Sequence, residues 1–195
     1  MIYNNLPGIF QGALASESKF SVISIPGEDG DAIVDLLDDP DAEASITLTL
    51  EDRPSQNVIA EKSGRGESVV VLGGHFDSVP MIAGANDNAS GTAVLLTIAR
   101  MLEHADLPFT FRIVPFGSEE LGLKGSKFYV ASLSEEELEN TKAMLNFDAL
   151  SSGSGVSVFG DRDLVDLVTA VGSETGVEIT GTRGLSGESI DFASF

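Results

Sequence analysis

The residues of this chain best suited to chemistry lie in two stretches. Gly73 to Asn88 reads GGHFDSVPMIAGANDN, and a Ser118-Glu119-Glu120 triplet follows it. His75, Asp77, Asp87, Glu119 and Glu120 are five potential metal ligands or bases gathered beyond strand-like hydrophobic runs, a pattern that a solvated surface does not explain. The chain holds only two histidines, so His75 carries particular weight. Histidine with aspartate or glutamate, and no cysteine, is a borderline-hard ligand set suited to zinc, manganese or cobalt in a catalytic site. A carboxylate in such a set can bridge two metals about 3.5–4 Å apart that share an activated water. Asp77, two residues from His75 on an extended strand, is poorly placed to ligate the same ion and better placed to orient the imidazole with its carboxylate. Adjacent glutamates point different ways, so one of Glu119 and Glu120 can ligate while the other stands off as a general base with a raised pKa.

These residues need elements to deliver them. Val69 to Gly73 (VVVLG) predicts a strand buried on both faces. Ala89 to Glu103 predicts a helix capped by Asn88 or Ser90. Phe109 to Phe116 and Met144 to Phe147 predict further strands, and Leu123 to Leu133, Ser134 to Asn140 and Asp161 to Gly176 predict helices. This alternation implies an α/β layered sheet with parallel neighbours. Ligands of such sheets bind at the carboxyl ends of the strands. Those ends carry His75 and Asp77, then Glu119 and Glu120, then Asp148, with Asp87 in the loop that opens the first helix. Upstream, strands are predicted at Phe20 to Ile25, Ser45 to Leu50 and Asn57 to Glu61. A helix is predicted between the first two, from Asp29 or Gly30 to a stop at Pro40. Arg53 to Gln56 is the predicted domain boundary.

Composition sets the limits. The chain has 195 residues, 42% hydrophobic and 22% charged, with 31 acidic against 11 basic side chains and a net charge of −20. Such a charge argues against nucleic acid or an anionic membrane as partner and suits a cation-binding protein or a saline habitat. No segment approaches the ~20 apolar residues of a membrane span. The absence of cysteine excludes disulfides and thiolate zinc sites. No G-x-S-x-G elbow or H-E-x-x-H motif is present, which sets aside serine hydrolases of that type and zincins. No pattern specifies an oligomeric state. Plain structural readings exist for each residue alone: Asp87 and Asp161 as helix caps, Glu119-Glu120 as solvated charge, and His104 as a favourable charge at a helix end. Asn88-Ala89-Ser90 also matches a glycosylation sequon, a short pattern that arises often by chance. It is the convergence of His75, Asp77, Asp87, Glu119, Glu120 and Asp148 on one sheet edge that favours chemistry.

The run GGHFDS…GANDNASGTA…FGSEELGLKGSKFYV…LNFDAL closely resembles the di-zinc aminopeptidases of metallopeptidase family twenty-eight, from Asn57 to the C-terminus. The resemblance implies a three-layer α/β sandwich with a mixed, mainly parallel sheet. It implies His75 and Asp148 on one zinc, Asp87 bridging both ions, and Glu120 on the second. Glu119 would be the general base, Asp77 would support His75, and the Asp87-Asn88 peptide would be cis. A peptide would be the substrate, and the location secreted or extracytoplasmic. Residues 1–54, with YNNLPGIFQGAL and SVISIPGEDGDAIVDLL, look like the second half of a protease-associated domain. Residues 55–195 would then be the zinc peptidase domain.

The chain departs from the family pattern in one respect. The second zinc of the family takes a later histidine, and none follows His104 here; Ser189-Ile190-Asp191-Phe192 has phenylalanine in the place of the histidine of a serine-aspartate-histidine segment. The expectation is a C-terminally incomplete enzyme, weakly active or inactive as it stands. The alternatives are a non-catalytic module of this fold, or a carboxypeptidase or glutaminyl cyclase sharing it.

Overall fold

The computed structural model describes residues 25–36, 39–43, 45, 47, 49, 51–153, 155–183 and 190–195. The chain divides into two units, Met1–Asp52 and Arg53–Phe195. In the first, helix α1 spans Gly27–Asp35, with Pro26 preceding it and accepting the Gly30 N–H at 3.0 Å. The helix starts earlier than Asp29 because proline's fixed φ suits the residue that leads into a first turn. The expected strands over 20–25 and 45–50, and the segment Tyr3 to Leu14, fall wholly or largely outside the described residues.

The second unit is built on a four-stranded sheet of order β1-β3-β2-β4, comprising β1 (Ala60–Lys62), β2 (Val69–His75), β3 (Thr110–Phe116) and β4 (Thr141–Asn146). The three strands β3, β2 and β4 run parallel, while β1 pairs antiparallel with β3. Strand β1 is shorter than the expected run from Asn57. The Asn57 side chain instead bonds the Gly125 carbonyl at 2.9 Å and accepts the Gly117 N–H at 3.1 Å. The sheet is mixed, with helices on both faces. Val69, Val71, Val114 and Phe116 pack against Tyr129 and Val130 of α3 (Lys124–Ser132). On the other face, Leu72 and Ile113 pack against Leu95, Ile98 and Leu102 of α2 (Ala89–Leu102). The triple-valine run of β2 is central because its alternate residues bury on opposite faces, as expected of a strand covered on both sides.

Local chemistry sets the remaining elements. Helix α4 (Glu135–Asn140) opens with a reciprocal capping box between Ser134 and Glu137. Helix α5 (Arg162–Thr175) is capped by Asp161, whose carboxylate accepts the Asp163 and Leu164 N–H groups, and it ends on Gly176 at φ +74°. Helix α5 links β5 (Val156–Gly160) to β6 (Ile179–Arg183), a separate two-stranded parallel sheet that the sequence reading did not anticipate. A 3-10 helix, Asp191–Ser194, packs on β2, β4 and α3. Among the described residues no helix is long and apolar enough to cross a membrane.

Helix α2 approaches the sheet very closely. A Cβ at Gly91, in its first turn, would overlap the Phe147 carbonyl, and one at Gly74 would crowd the same oxygen. Only glycine permits that approach. Leu95, one turn further on, is fully buried. Leu95→Ala should therefore cost about 2–5 kcal/mol in urea unfolding. Leu167→Ala on the exposed side of α5 should stay within about 0.5 kcal/mol. Equal losses would contradict this description of the core.

Candidate metal centre

His75 is the last residue of β2 and is 1% exposed. Its Nδ1 lies 3.0 Å from the Asp77 carbonyl oxygen. A carbonyl can only accept, so Nδ1 carries the hydrogen and Nε2 is left to face the site. Nε2 stands 2.9 Å from Asp87 Oδ1, 3.5 Å from Asp148 Oδ1 and 3.9 Å from Glu119 Oε2. Burial on its own would lower the imidazole pKa. The Asp148 carboxylate 3.5 Å away, the charge of Glu119 and the Asp77 carbonyl outweigh that and raise it to about 9. The carboxylates around Nε2 thus favour positive charge at that point, the preference that a cation would meet as well.

All six residues read from the sequence come to this edge. One ligand atom from each of His75, Asp87 and Glu120 falls within 4.8 Å of the others, a set able to hold one ion. Asp148, which the family resemblance implied beside His75, has its Oδ1 3.5 Å from the same Nε2. The Asp148 Oδ1 is buried with no hydrogen-bond partner. A buried carboxylate oxygen without a donor, beside a ligand cluster, fits a cation. The donor set of imidazole and carboxylates suits a zinc-type ion. Asp87 is the open member, with its side chain 59% exposed.

Asp77 acts differently from expectation. Its backbone carbonyl, rather than its carboxylate, bonds the imidazole. The carboxylate lies 3.6 Å from Nδ1 and accepts the backbone N–H groups of Glu119, at 3.0 Å, and Glu120, at 3.3 Å. One residue therefore fixes both the ring and the glutamate turn. That turn is tight: Ser118 and Leu123 have positive φ, and the Glu119 carbonyl accepts the N–H groups of Gly122 and Leu123, each at 2.8 Å. Glu119 itself is 11% exposed. Burial, together with the charges of Asp191, Glu120 and Asp148 and against that of His75, raises its carboxyl to about 7. Burial and Asp87 also raise Glu120. The Asp87-Asn88 peptide is cis.

Two buried polar side chains went unassigned in the sequence. Asp191, on the 3-10 helix, is fully buried, and neither carboxylate oxygen has a hydrogen-bond partner. Burial pushes it up to about 6, against the nearby Ser126 hydroxyl and His75. The Ser126 hydroxyl has its bonds at Ser194 Oγ, 2.9 Å away, and at the Leu123 carbonyl, 3.3 Å away. Asn146, at the end of β4, likewise has both side-chain polar atoms buried without partners. Asp191 stood in the sequence only as part of a segment departing from its family pattern, and Asn146 only as a strand residue. His104 is remote in character, with its side chain 89% exposed.

The model of Peptidase family M28 matches residues 57–193. Leucine aminopeptidase 2 of Trichophyton equinum is 38% identical over 168 residues, which cover 84% of this chain and 34% of that protein. Aminopeptidase YwaD of Bacillus subtilis is 36% identical over 159 residues, covering 78% of this chain and 34% of that one. The solved structure of BSAP, a zinc aminopeptidase from Bacillus subtilis, superposes with a TM-score of 0.63 at 34% identity, over 71% of this chain and 36% of its own. The chain thus spans about a third of the length of the curated relatives it matches. On the family match and on the edge that carries His75, Asp87, Glu119, Glu120 and Asp148, this chain belongs to Peptidase family M28.

Proposed function

We propose that this chain carries the metal-binding and proton-transfer residues of an aminopeptidase that releases N-terminal residues from peptides, with zinc as its metal. The observation that carries this reading is the buried His75 Nε2 facing Asp87 and Asp148 with Glu120 in ligand range. In it, His75, Asp87, Asp148 and Glu120 would hold the metal. Bound zinc supplies Lewis acidity and lowers the pKa of a water. Glu119 is the general base: its carboxylate takes a proton from the attacking water and hands it to the departing amine. Its shielded position keeps competing water from that carboxylate. Asp77 holds the backbone of Glu119 and Glu120, so base and ligand keep a fixed relation. The exposed side of Asp87 is where a peptide enters. The names of the aminopeptidase relatives support the substrate class.

Two measurements test the reading. Zinc at about a hundred times its Kd should stabilise the chain by about 2.7 kcal/mol, read as a rise in Tm that a chelator reverses. His75→Ala should abolish that rise, and zinc without effect on the unaltered chain would refute the centre. Glu119→Gln in the active protein should lower turnover of an aminoacyl anilide about 10²–10⁴-fold while zinc content stays constant. Unchanged turnover would remove Glu119 from the role of base.

A further inference from the structure

Asp87 and Asp148 belong to segments some sixty residues apart in sequence, yet both reach His75 Nε2. Every second residue around Asp87 sends a side chain into the segment around Asp148. Asn86 Oδ1 accepts the N–H and the hydroxyl of Ser151, each at 2.9 Å. Asn88 Nδ2 donates to the Phe147 carbonyl at 2.9 Å, and its Oδ1 accepts the Ala149 N–H at 3.4 Å. Ser90 Oγ accepts the Leu150 N–H at 2.9 Å and donates to the Asn86 carbonyl at 2.6 Å. Backbone groups at 147, 149, 150 and 151 are thus all engaged, on both sides of Asp148. This segment does not hold its shape unaided, since Ala149 sits at φ +51°, a region costly for a residue with a Cβ. Asp148 Oδ1 has no hydrogen bond of its own, so the backbone it stands on must fix its place.

We infer that Asn86, Asn88 and Ser90 are positioning residues that set the place of Asp148 relative to Asp87, and thereby make Asp148 part of the metal centre. This rests on the proposed metal-binding reading. Asn88 also caps α2 through the Gly91 N–H at 2.9 Å, so its loss would disturb folding as well. Asn86 and Ser90 are the cleaner positions.

The test is a double-mutant cycle on zinc affinity, measured by competition with a chromophoric chelator. The variant carrying Asn86→Ala and Ser90→Ala should bind zinc about 10–100-fold more weakly than the unaltered chain, while still unfolding in one cooperative transition without zinc. In an Asp148→Asn background the same pair should cost less than about threefold, because the residue through which it acts is already gone. Asn86→Ala with Ser90→Thr, which keeps the hydroxyl, should recover part of the loss. Equal losses in both backgrounds, or no loss in the unaltered one, would overturn the inference while leaving the metal centre standing. Failure of the unaltered chain to bind zinc would overturn both.

Discussion

Mutual repulsion among carboxylates is the force this structure must contain. Asp87, Glu119 and Asp148 approach a single buried imidazole nitrogen, Glu120 completes its ligand group, and Asp77 and Asp191 lie behind them. Two like charges 4 Å apart repel by about 4 kcal/mol at an effective dielectric constant of 20. The chain as a whole, at −20, offers no relief. The same crowding contributes to the raised pKa values of His75, Glu119, Glu120 and Asp191. A divalent cation neutralises such charge, so the electrostatics of the cluster describe what it is shaped to hold.

Holding like charges together requires a frame that does not yield. Parallel pairing of β2 with β3 and β4 brings three strand ends to one edge. The close seating of α2, through Gly91 and Gly74 against the Phe147 carbonyl, fixes the loop bearing Asp87 against the strand that leads to Asp148. Asp77 ties the glutamate turn to β2. Each tie joins segments remote in sequence, and each ends on backbone rather than on another mobile side chain. The acidic residues therefore inherit the rigidity of the sheet.

What was legible in the sequence follows from this arrangement. His75, Asp87, Glu119, Glu120 and Asp148 were readable because they follow hydrophobic runs whose period reveals strands, and strand ends of a parallel sheet share an edge. The cap at Asp161 was readable because capping is local. The division of labour within Asp77, between carbonyl and carboxylate, was not, since it depends on how a turn some forty residues later folds back. Asn88 was read as one of two candidate caps, with Ser90, and it is the cap, but its bonds to Phe147 and Ala149 are tertiary and leave no periodic trace. Strands β5 and β6 escaped notice because each is five residues long and contains glycine. Asp191 was hidden because a single aspartate in an irregular segment looks the same whether solvated or buried.

The triplet Asn88-Ala89-Ser90 has a consequence for biosynthesis. It is a glycan acceptor sequence whose asparagine is 1% exposed, with its amide engaged at both ends. In the finished fold no transferase can reach it, and no sugar fits between α2 and the 147–151 segment. During synthesis, before that segment has emerged, the triplet is an open substrate. A host that glycosylates nascent chains would thus set two processes in competition on one residue, closure of the metal centre against attachment of a sugar that forbids it. Yield of folded protein in such a host would depend on which is faster, a kinetic choice that a non-glycosylating host never poses.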